Sequence, residues 1–128
     1  MAVDIRFQVV VFDAADIATV SRFWAGVLGG TVDAEDDWHM VMGPDGVPRI
    51  GVQLAPDHVP PDWPDGAAQQ VHLDLWVPDL AAAHDEVVRL GARLLQAAPD
   101  LDAVEGFQVY ADPAGHPFCL CWHRTAVT

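Results

Sequence analysis

The sequence predicts an α+β fold built from two tandem βαβββ modules in one domain, residues 1–128. The chain has 128 residues, the usual size of a single domain. An apolar pattern near the N-terminus returns 63 residues later, at close to half the chain length. Each copy of the pattern is followed by a segment that reads as strand, turn, strand. An internal repeat of this kind indicates two copies of one structural unit.

Each copy of the repeat begins as a strand and continues as a helix. Residues 7–30 read FQVVVFDAADIATVSRFWAGVLGG, and residues 69–92 read QQVHLDLWVPDLAAAHDEVVRLGA. In both copies, apolar residues follow an aspartate at spacings of 3, 4 and 3, which places them on one helix face. The two apolar sets are Ile17, Val20, Trp24 and Val27, and Leu80, Ala83, Val87 and Leu90.

The ends of both helices are also marked in the sequence. Asp16 and Asp79 are predicted N-caps, because a short carboxylate accepts hydrogen bonds from the free N–H groups of the first turn. Gly29 and Gly91 suit the left-handed residue that commonly ends a helix.

The rest of each module is predicted to be three strands. A short strand is expected after each helix and a hairpin after that strand, near residues 30–34 and 38–54 in the first module and near 92–96 and 107–122 in the second. The segments Pro44-Asp45-Gly46 and Asp112-Pro113-Ala114-Gly115 are strong turn signals at the centres of the hairpins.

The two modules are expected to be joined by a loop. Four prolines and three aspartates fall between residues 55 and 68, a composition typical of a linker. We therefore predict module one over about residues 4–55, a linker over about 56–68, and module two over about 69–124.

The net charge of the chain argues against nucleic-acid and membrane partners. The chain carries 19 acidic residues, six basic residues and a formal charge of −13. Such a surface repels phosphate backbones and anionic membranes, so we expect no nucleic-acid or membrane partner. No apolar run approaches the roughly 18 to 20 residues that span a bilayer, and no signal peptide is recognisable.

Cys119 and Cys121 would share a strand face, a poor arrangement for a disulfide, so we expect a cytoplasmic protein.

Candidate catalytic residues lie on the first strand of module two. Alternation places His72, Asp74 and Trp76 on one face of the segment VHLDLWV and leaves an all-apolar face to pack under the helix. An imidazole beside a carboxylate can act as a general acid or base, so His72 and Asp74 form a candidate catalytic pair. A histidine that only makes structural hydrogen bonds is the alternative.

Five tryptophans suggest an aromatic ligand pocket. Trp24 lies on the apolar helix face and is expected in the core. Trp76 and Trp122 lie on strands and could line a flat apolar pocket, and Trp38 and Trp63 lie in or near loops that could close over it. For each of these four, packing in the core is the alternative.

Taken in order along the chain, these segments resemble the vicinal oxygen chelate superfamily, which includes glyoxalases, bleomycin-resistance proteins and extradiol dioxygenases. The resemblance is carried by residues 16–30, 49–56, 71–92 and 107–122 and covers nearly the whole chain. It implies paired modules that form one curved mixed sheet around a cleft, with the helices outside, and it implies a homodimer. In many relatives, side chains from the first and last strands of each module hold a divalent metal in the cleft.

Carried over residue by residue, that metal site is incomplete in this sequence. His72 matches the first-strand ligand of module two, and Gln53 offers a weak oxygen ligand from the last strand of module one. Val9 stands at the matching position of module one and cannot bind a metal. Cys119 stands where relatives carry a glutamate. We therefore expect no resident cofactor, although His72, Gln53 and Cys119 with water could hold zinc.

The resemblance and the residues lead to three functional hypotheses. The first is a metal-independent protein that binds a small apolar or aromatic molecule, with Trp76, Trp122, Trp38, Trp63, Gln53 and Cys119 as ligand-binding residues. The second is a lyase, isomerase or dioxygenase of the glyoxalase type that uses a metal held by His72 and Gln53. The third is a metal-free enzyme in which His72 and Asp74 transfer a proton. The first hypothesis is preferred because metal ligands are lost while tryptophans are abundant.

Overall fold

The structure of the chain, a computed structural model, describes residues 4–66, 68 and 71–124. The described residues fall into two compact units that divide between His58 and Val59. That point lies inside the predicted linker, and the predicted first residue of module two, 69, lies outside the described residues.

Both units have the predicted βαβββ order, which confirms the α+β class and the two tandem modules. Module one comprises β1 Val10–Ala14, α1 Ile17–Leu28, β2 Thr31–Ala34, β3 Trp38–Met42 and β4 Pro48–Leu54. Module two comprises β5 Leu73–Trp76, α2 Leu80–Leu90, β6 Arg93–Gln96, β7 Glu105–Ala111 and β8 Pro117–His123. Within the described residues, no helix is both long and apolar enough to cross a bilayer.

The described strands form two four-stranded mixed sheets, one in each module, whereas the resemblance implied one curved sheet. The strand orders are β1-β4-β3-β2 and β5-β8-β7-β6. In both sheets the strand before the helix pairs in parallel with the last strand of the module, and the other pairs are antiparallel. A parallel pair needs a crossover connection, and the helix lies within it. Each helix therefore packs on one face of its own sheet and leaves the other face open.

The helices begin and end where the sequence predicts. The Asp16 carboxylate accepts a hydrogen bond from the Thr19 N–H at 3.2 Å, and the Asp79 carboxylate accepts one from the Ala82 N–H at 3.1 Å. Gly29 adopts the left-handed conformation with φ 69°. Gly91 also ends its helix with a positive φ, but at φ 121° it lies outside the left-handed helical region that was predicted for it. These local signals mark the helix boundaries.

The apolar helix faces form the cores of the two modules. Trp24 is fully buried in module one, as its position on the helix face predicts, and its ring meets that of Phe23 edge to face at 5.1 Å. In module two, Val87 of α2 is buried, and Tyr110 stacks on Phe118 at 5.5 Å under the helix.

The first strand of each module is shorter than its apolar run suggests. The apolar run starts at Phe7, but β1 begins only at Val10, which pairs with Ile50. The partner strand starts at Pro48, and a proline has no N–H to donate to a ladder. The apolar run therefore continues beyond the residues that have a partner.

A tryptophan lies across a glycine in both sheets. A Cβ on Gly51 would lie 2.6 Å from Cζ2 of Trp38, and a Cβ on Gly106 would lie 2.6 Å from Cζ2 of Trp122. The glycines thus allow a flat indole ring to rest directly on the backbone of the neighbouring strand.

Gly51→Ala is expected to destabilise the protein by about 1–3 kcal/mol, because the added methyl group would displace the rigid Trp38 ring. Urea unfolding measures this change. Gly43→Ala is the matched control, since its Cβ would meet only flexible side-chain atoms of Asp45 and Arg49, at 3.0 Å or more. Equal stability of the two variants would contradict the role of Gly51.

Candidate functional site

The candidate site lies on the open face of the sheet of module two, where β5 and β8 run side by side. The parallel register pairs Asp74 with Cys119 and Trp76 with Cys121. His72 lies immediately before β5. The predicted alternation is therefore present in the structure, because the side chains of His72, Asp74 and Trp76 line one cavity together with both cysteines.

Three potential donor atoms meet in this cavity. The Nε2 atom of His72 lies 3.3 Å from Oδ1 of Asp74. The ligand atoms of His72, Asp74 and Cys119 all lie within 4.8 Å of one another. Both side chains of the His72–Asp74 pair are a little under half exposed. This geometry suits proton exchange between the imidazole and a bound molecule, and it also suits capture of an ion.

The cysteines are protonated at neutral pH. Burial raises the pKa of the Cys119 thiol to about 12, and the nearby negative charge of Asp74 and the hydrogen bond from the thiol to that carboxylate add to the rise. Burial and Asp74 also raise the pKa of Cys121. Because the thiolate is the reactive form of cysteine, neither residue is suited to act as a nucleophile in the free protein.

The walls of the cavity are mainly aromatic. Its volume is about 460 Å³, which is within the range of small-molecule sites. Trp76 is 67% exposed and Phe107 is 51% exposed. Trp122 also lines the cavity, but it is buried, and its indole N–H donates to the Ala103 carbonyl oxygen at 3.0 Å. Of the predicted tryptophans, Trp76 thus offers the largest open surface.

The position of Trp122 depends on the glycine beside it. By strand alternation its side chain belongs to the face of β8 opposite Cys119 and Cys121. Gly106, its partner on β7, carries no side chain, and the indole ring crosses the glycine backbone at the edge of the cavity.

The other predicted ligand-binding residues do not line this cavity. Trp63 is half-buried in the loop before β5 and packs against the cluster of Val109, Cys119 and Cys121. Trp38 and Gln53 belong to module one, where they are paired on β3 and β4.

Gln53 and Cys119, the last-strand positions that the family resemblance matches in the two modules, do not occupy equivalent positions in the strand register. Gln53 pairs with Asp13, which corresponds to Trp76 at the 63-residue offset, and Trp76 pairs with Cys121. Cys121, not Cys119, is therefore the counterpart of Gln53 within this fold. Val9 precedes β1 and offers no ligand atom.

Four residues that line the cavity are not among the site residues predicted from the sequence: Glu105, Gly106, Phe107 and Cys121. Three of them lie at the beginning of β7, which starts two residues earlier than the predicted hairpin. Alternation along the strands could have placed Phe107 and Val109 on one face of β7, and Cys119 and Cys121 on one face of β8. Only the strand register shows that Phe107 pairs with Cys121 and Val109 with Cys119.

The cluster of donor atoms fits zinc better than a hard ion. Imidazole nitrogen, thiolate sulfur and one carboxylate are zinc ligands, whereas magnesium and calcium require several oxygen ligands. The three donor atoms are close enough for small side-chain rotations to bring them onto one ion. Binding would first require Cys119 to lose its proton, so the site would favour zinc more strongly at higher pH.

The comparison with protein families agrees with the observed modules. The family model described as a glyoxalase-like domain matches residues 9–121. No curated protein matches the chain.

Solved structures share the fold at low sequence identity. The fosfomycin resistance protein FosX from Listeria monocytogenes has a TM-score of 0.70 and 9% identity, over 98% of this chain and 97% of FosX. A glyoxalase/dioxygenase from Nostoc punctiforme has a TM-score of 0.68 and 14% identity, over 97% of this chain and 100% of that protein. A glyoxalase/bleomycin resistance protein/dioxygenase family enzyme from Burkholderia phytofirmans has a TM-score of 0.66 and 15% identity, over 89% and 95%.

Cys119 is expected to resist alkylation in the folded protein. With a pKa of about 12, its thiolate fraction at pH 8 is on the order of 10⁻⁴. Iodoacetamide labelling in the presence of EDTA, followed by peptide mass spectrometry, should therefore be on the order of 10³-fold slower than in urea-unfolded protein. The rate should continue to rise with pH beyond pH 10. Labelling as fast as in the unfolded chain would contradict a buried, protonated thiol.

Proposed function

The chain belongs to the glyoxalase-like domain family, within the vicinal oxygen chelate superfamily. We propose that it binds a small apolar or aromatic molecule in the cavity of module two, without a metal ion. One observation carries this proposal. Trp76 and Phe107 both expose more than half of their surface, and both line the same cavity. A flat ligand between them would remove two large aromatic surfaces from water.

The chemistry of the cavity floor supports binding over covalent catalysis. Cys119 and Cys121 are protonated and buried, so they act as small polarisable surfaces toward a ligand. His72 and Asp74 provide the polar contacts that would orient it. A mainly apolar pocket with a few convergent polar groups is the usual form of a small-molecule site.

A metal-dependent lyase, isomerase or dioxygenase is the second candidate, favoured by the clustering of His72, Asp74 and Cys119 within 4.8 Å. When bound, a zinc ion would supply Lewis-acid chemistry to an oxygen-bearing substrate. The residues themselves would hold the ion, and Asp74 would no longer be free to accept from Cys119. A third candidate, metal-free proton transfer by His72 and Asp74, is supported by their 3.3 Å separation.

Other predictions accompany this proposal. Trp38 and Gln53 remain predicted ligand-binding residues of module one, and Trp63 remains a predicted cover of the site. The homodimer and the cytoplasmic location remain predictions from the resemblance and from the sequence.

A binding screen tests the proposed function directly. We expect members of a library of small aromatic compounds to quench tryptophan fluorescence saturably in the presence of EDTA. Phe107→Ala should weaken binding by about fivefold, since loss of one stacking ring removes about 1 kcal/mol. Calorimetry should show a similar loss for Trp76→Ala, which removes the fluorescent reporter itself.

Phe7→Ala is the matched control for this screen. Phe7 is 55% exposed, comparable to Phe107, and belongs to module one. Its removal should leave affinity unchanged. Binding that is equally weakened by Phe7→Ala, or the absence of any ligand in the library, would argue against the proposed cavity.

Elemental analysis distinguishes the metal-dependent candidate. Protein purified without a polyhistidine tag is expected to contain no stoichiometric metal and to take up none when zinc, nickel, manganese or iron is added. Near-stoichiometric metal in the parent and in His58→Ala, with little in His72→Ala, would instead show a metal site at His72 and support the metal-dependent candidate.

A further inference from the structure

We propose that the cavity of module two selects organic cations: molecules with an apolar or aromatic body and one ammonium-type group. This inference rests on the proposed function and specifies the class of ligand. The cavity and its exposed aromatic rings provide the site, and the charges around it determine which apolar molecules it prefers.

The formal charges that line the cavity are all negative. Asp74 lies on its floor beside Cys119. Glu105 lies on its rim with a side chain that is 72% exposed, and its Oε2 atom lies 3.8 Å from Nε2 of His123, which is itself half exposed. No arginine or lysine is among the described lining residues, and the imidazole of His72 lies beside Asp74.

The guanidinium group of Arg124 forms no described ion pair with these carboxylates. Arg124 lies over the Trp122 ring at 5.5 Å from its centroid, and its Nη1 atom donates to the carbonyl oxygens of Leu101 and Ala103. Arg124 is not among the residues that line the cavity. Its guanidinium group is hydrogen-bonded to backbone carbonyl oxygens, and the chain contains no lysine that could take its place.

The aromatic walls favour the same kind of ligand. The face of an indole or phenyl ring carries negative electrostatic potential and attracts a cation that lies over it. Trp76 and Phe107 offer such faces, and each stands near one of the carboxylates in sequence, Trp76 two residues after Asp74 and Phe107 two residues after Glu105. Strand alternation therefore directs each ring to the same face as a carboxylate.

The charge of the whole chain acts in the same direction. A formal charge of −13 raises the local concentration of cations and lowers that of anions around the protein. Such an effect does not depend on the cavity, so the experiment must separate a local preference from a global one.

Three matched compounds test the preference: phenethylamine, 2-phenylethanol and phenylacetate, which share a phenyl ring and a short side chain but differ in charge. Titrations by calorimetry at low ionic strength, at pH 8 and with EDTA, exclude metal ions as the bound cation. We expect the amine to bind at least about fivefold more tightly than the alcohol, and the anion more weakly than the alcohol. This is the scale of cation–π attraction combined with two partly exposed charge pairs.

Two variants and one control locate the preference. Glu105→Gln and Asp74→Asn should each reduce the ratio of amine to alcohol affinity by about two- to threefold, since each removes one partly exposed charge. Glu86→Gln changes the total charge by the same amount, but Glu86 is paired with Arg89 on α2, away from the cavity lining. It should leave the ratio unchanged. Should Asp74→Asn fail to fold, the exposed Glu105 provides the test by itself.

Each outcome is decisive. Equal affinity for amine and alcohol would overturn cation selection while leaving the proposed function in place. A ratio that falls equally in Glu86→Gln would overturn a local origin. Failure of all three compounds to bind would overturn the inference and count against the proposed function as well.

Discussion

The parallel pairing of the first and last strands within each module is the constraint on which the rest of the structure depends. Because β1 pairs with β4 and β5 with β8, the chain must cross over the sheet between them, and the helix occupies that crossover. The helix covers one sheet face with apolar side chains. Whatever the first and last strands place on the other face is then available for binding. In module two these are Asp74, Trp76 and the two cysteines.

The two modules share this framework but differ on their open faces. At the 63-residue offset, Val9, Val11 and Asp13 of module one correspond to His72, Asp74 and Trp76. The helix-covered positions are more alike, because both must fill a core. A partly buried hydrogen bond between helix and sheet is also retained. The Ser21 hydroxyl lies 2.8 Å from Nδ1 of His39 in module one, and Nδ1 of His84 lies 2.7 Å from the Tyr110 hydroxyl oxygen in module two. Ser21 and His84 are each the fifth residue after the N-cap of their helix, and their partners lie on the third strand of the module. Each bond links a helix to its sheet and gives a buried hydroxyl, that of Ser21 or Tyr110, a partner.

The sequence predicted what depends on local signals. An N-cap aspartate, a helix-spaced apolar face and a turn dipeptide each act within a few residues, so the helices, the hairpins and the face of His72, Asp74 and Trp76 could be recognised. The contact between Asp74 and Cys119 could not, because it joins residues 45 positions apart through a strand register that the sequence does not encode locally. For the same reason Glu105 and Phe107 were missed as neighbours of Trp76. Likewise, only the strand pairing shows that Gln53 and Cys121 occupy equivalent positions on the last strands of the two modules.

The carboxylate of Asp74 is needed by both candidate ligands, an organic cation and a metal ion. In the free protein it accepts from the Cys119 thiol and lies beside His72, so its negative charge is directed into an aromatic cavity. A zinc ion held by all three residues would bring two positive charges and displace one thiol proton. The charge of the lining would then become one unit less negative, and the oxygens of Asp74 would be occupied by the ion. An organic cation and a metal ion would therefore exclude each other at this site. The metal-dependent candidate and the cation-binding proposal thus require the same carboxylate, that of Asp74. Because Cys119 is buried and protonated, it favours the protein without a metal.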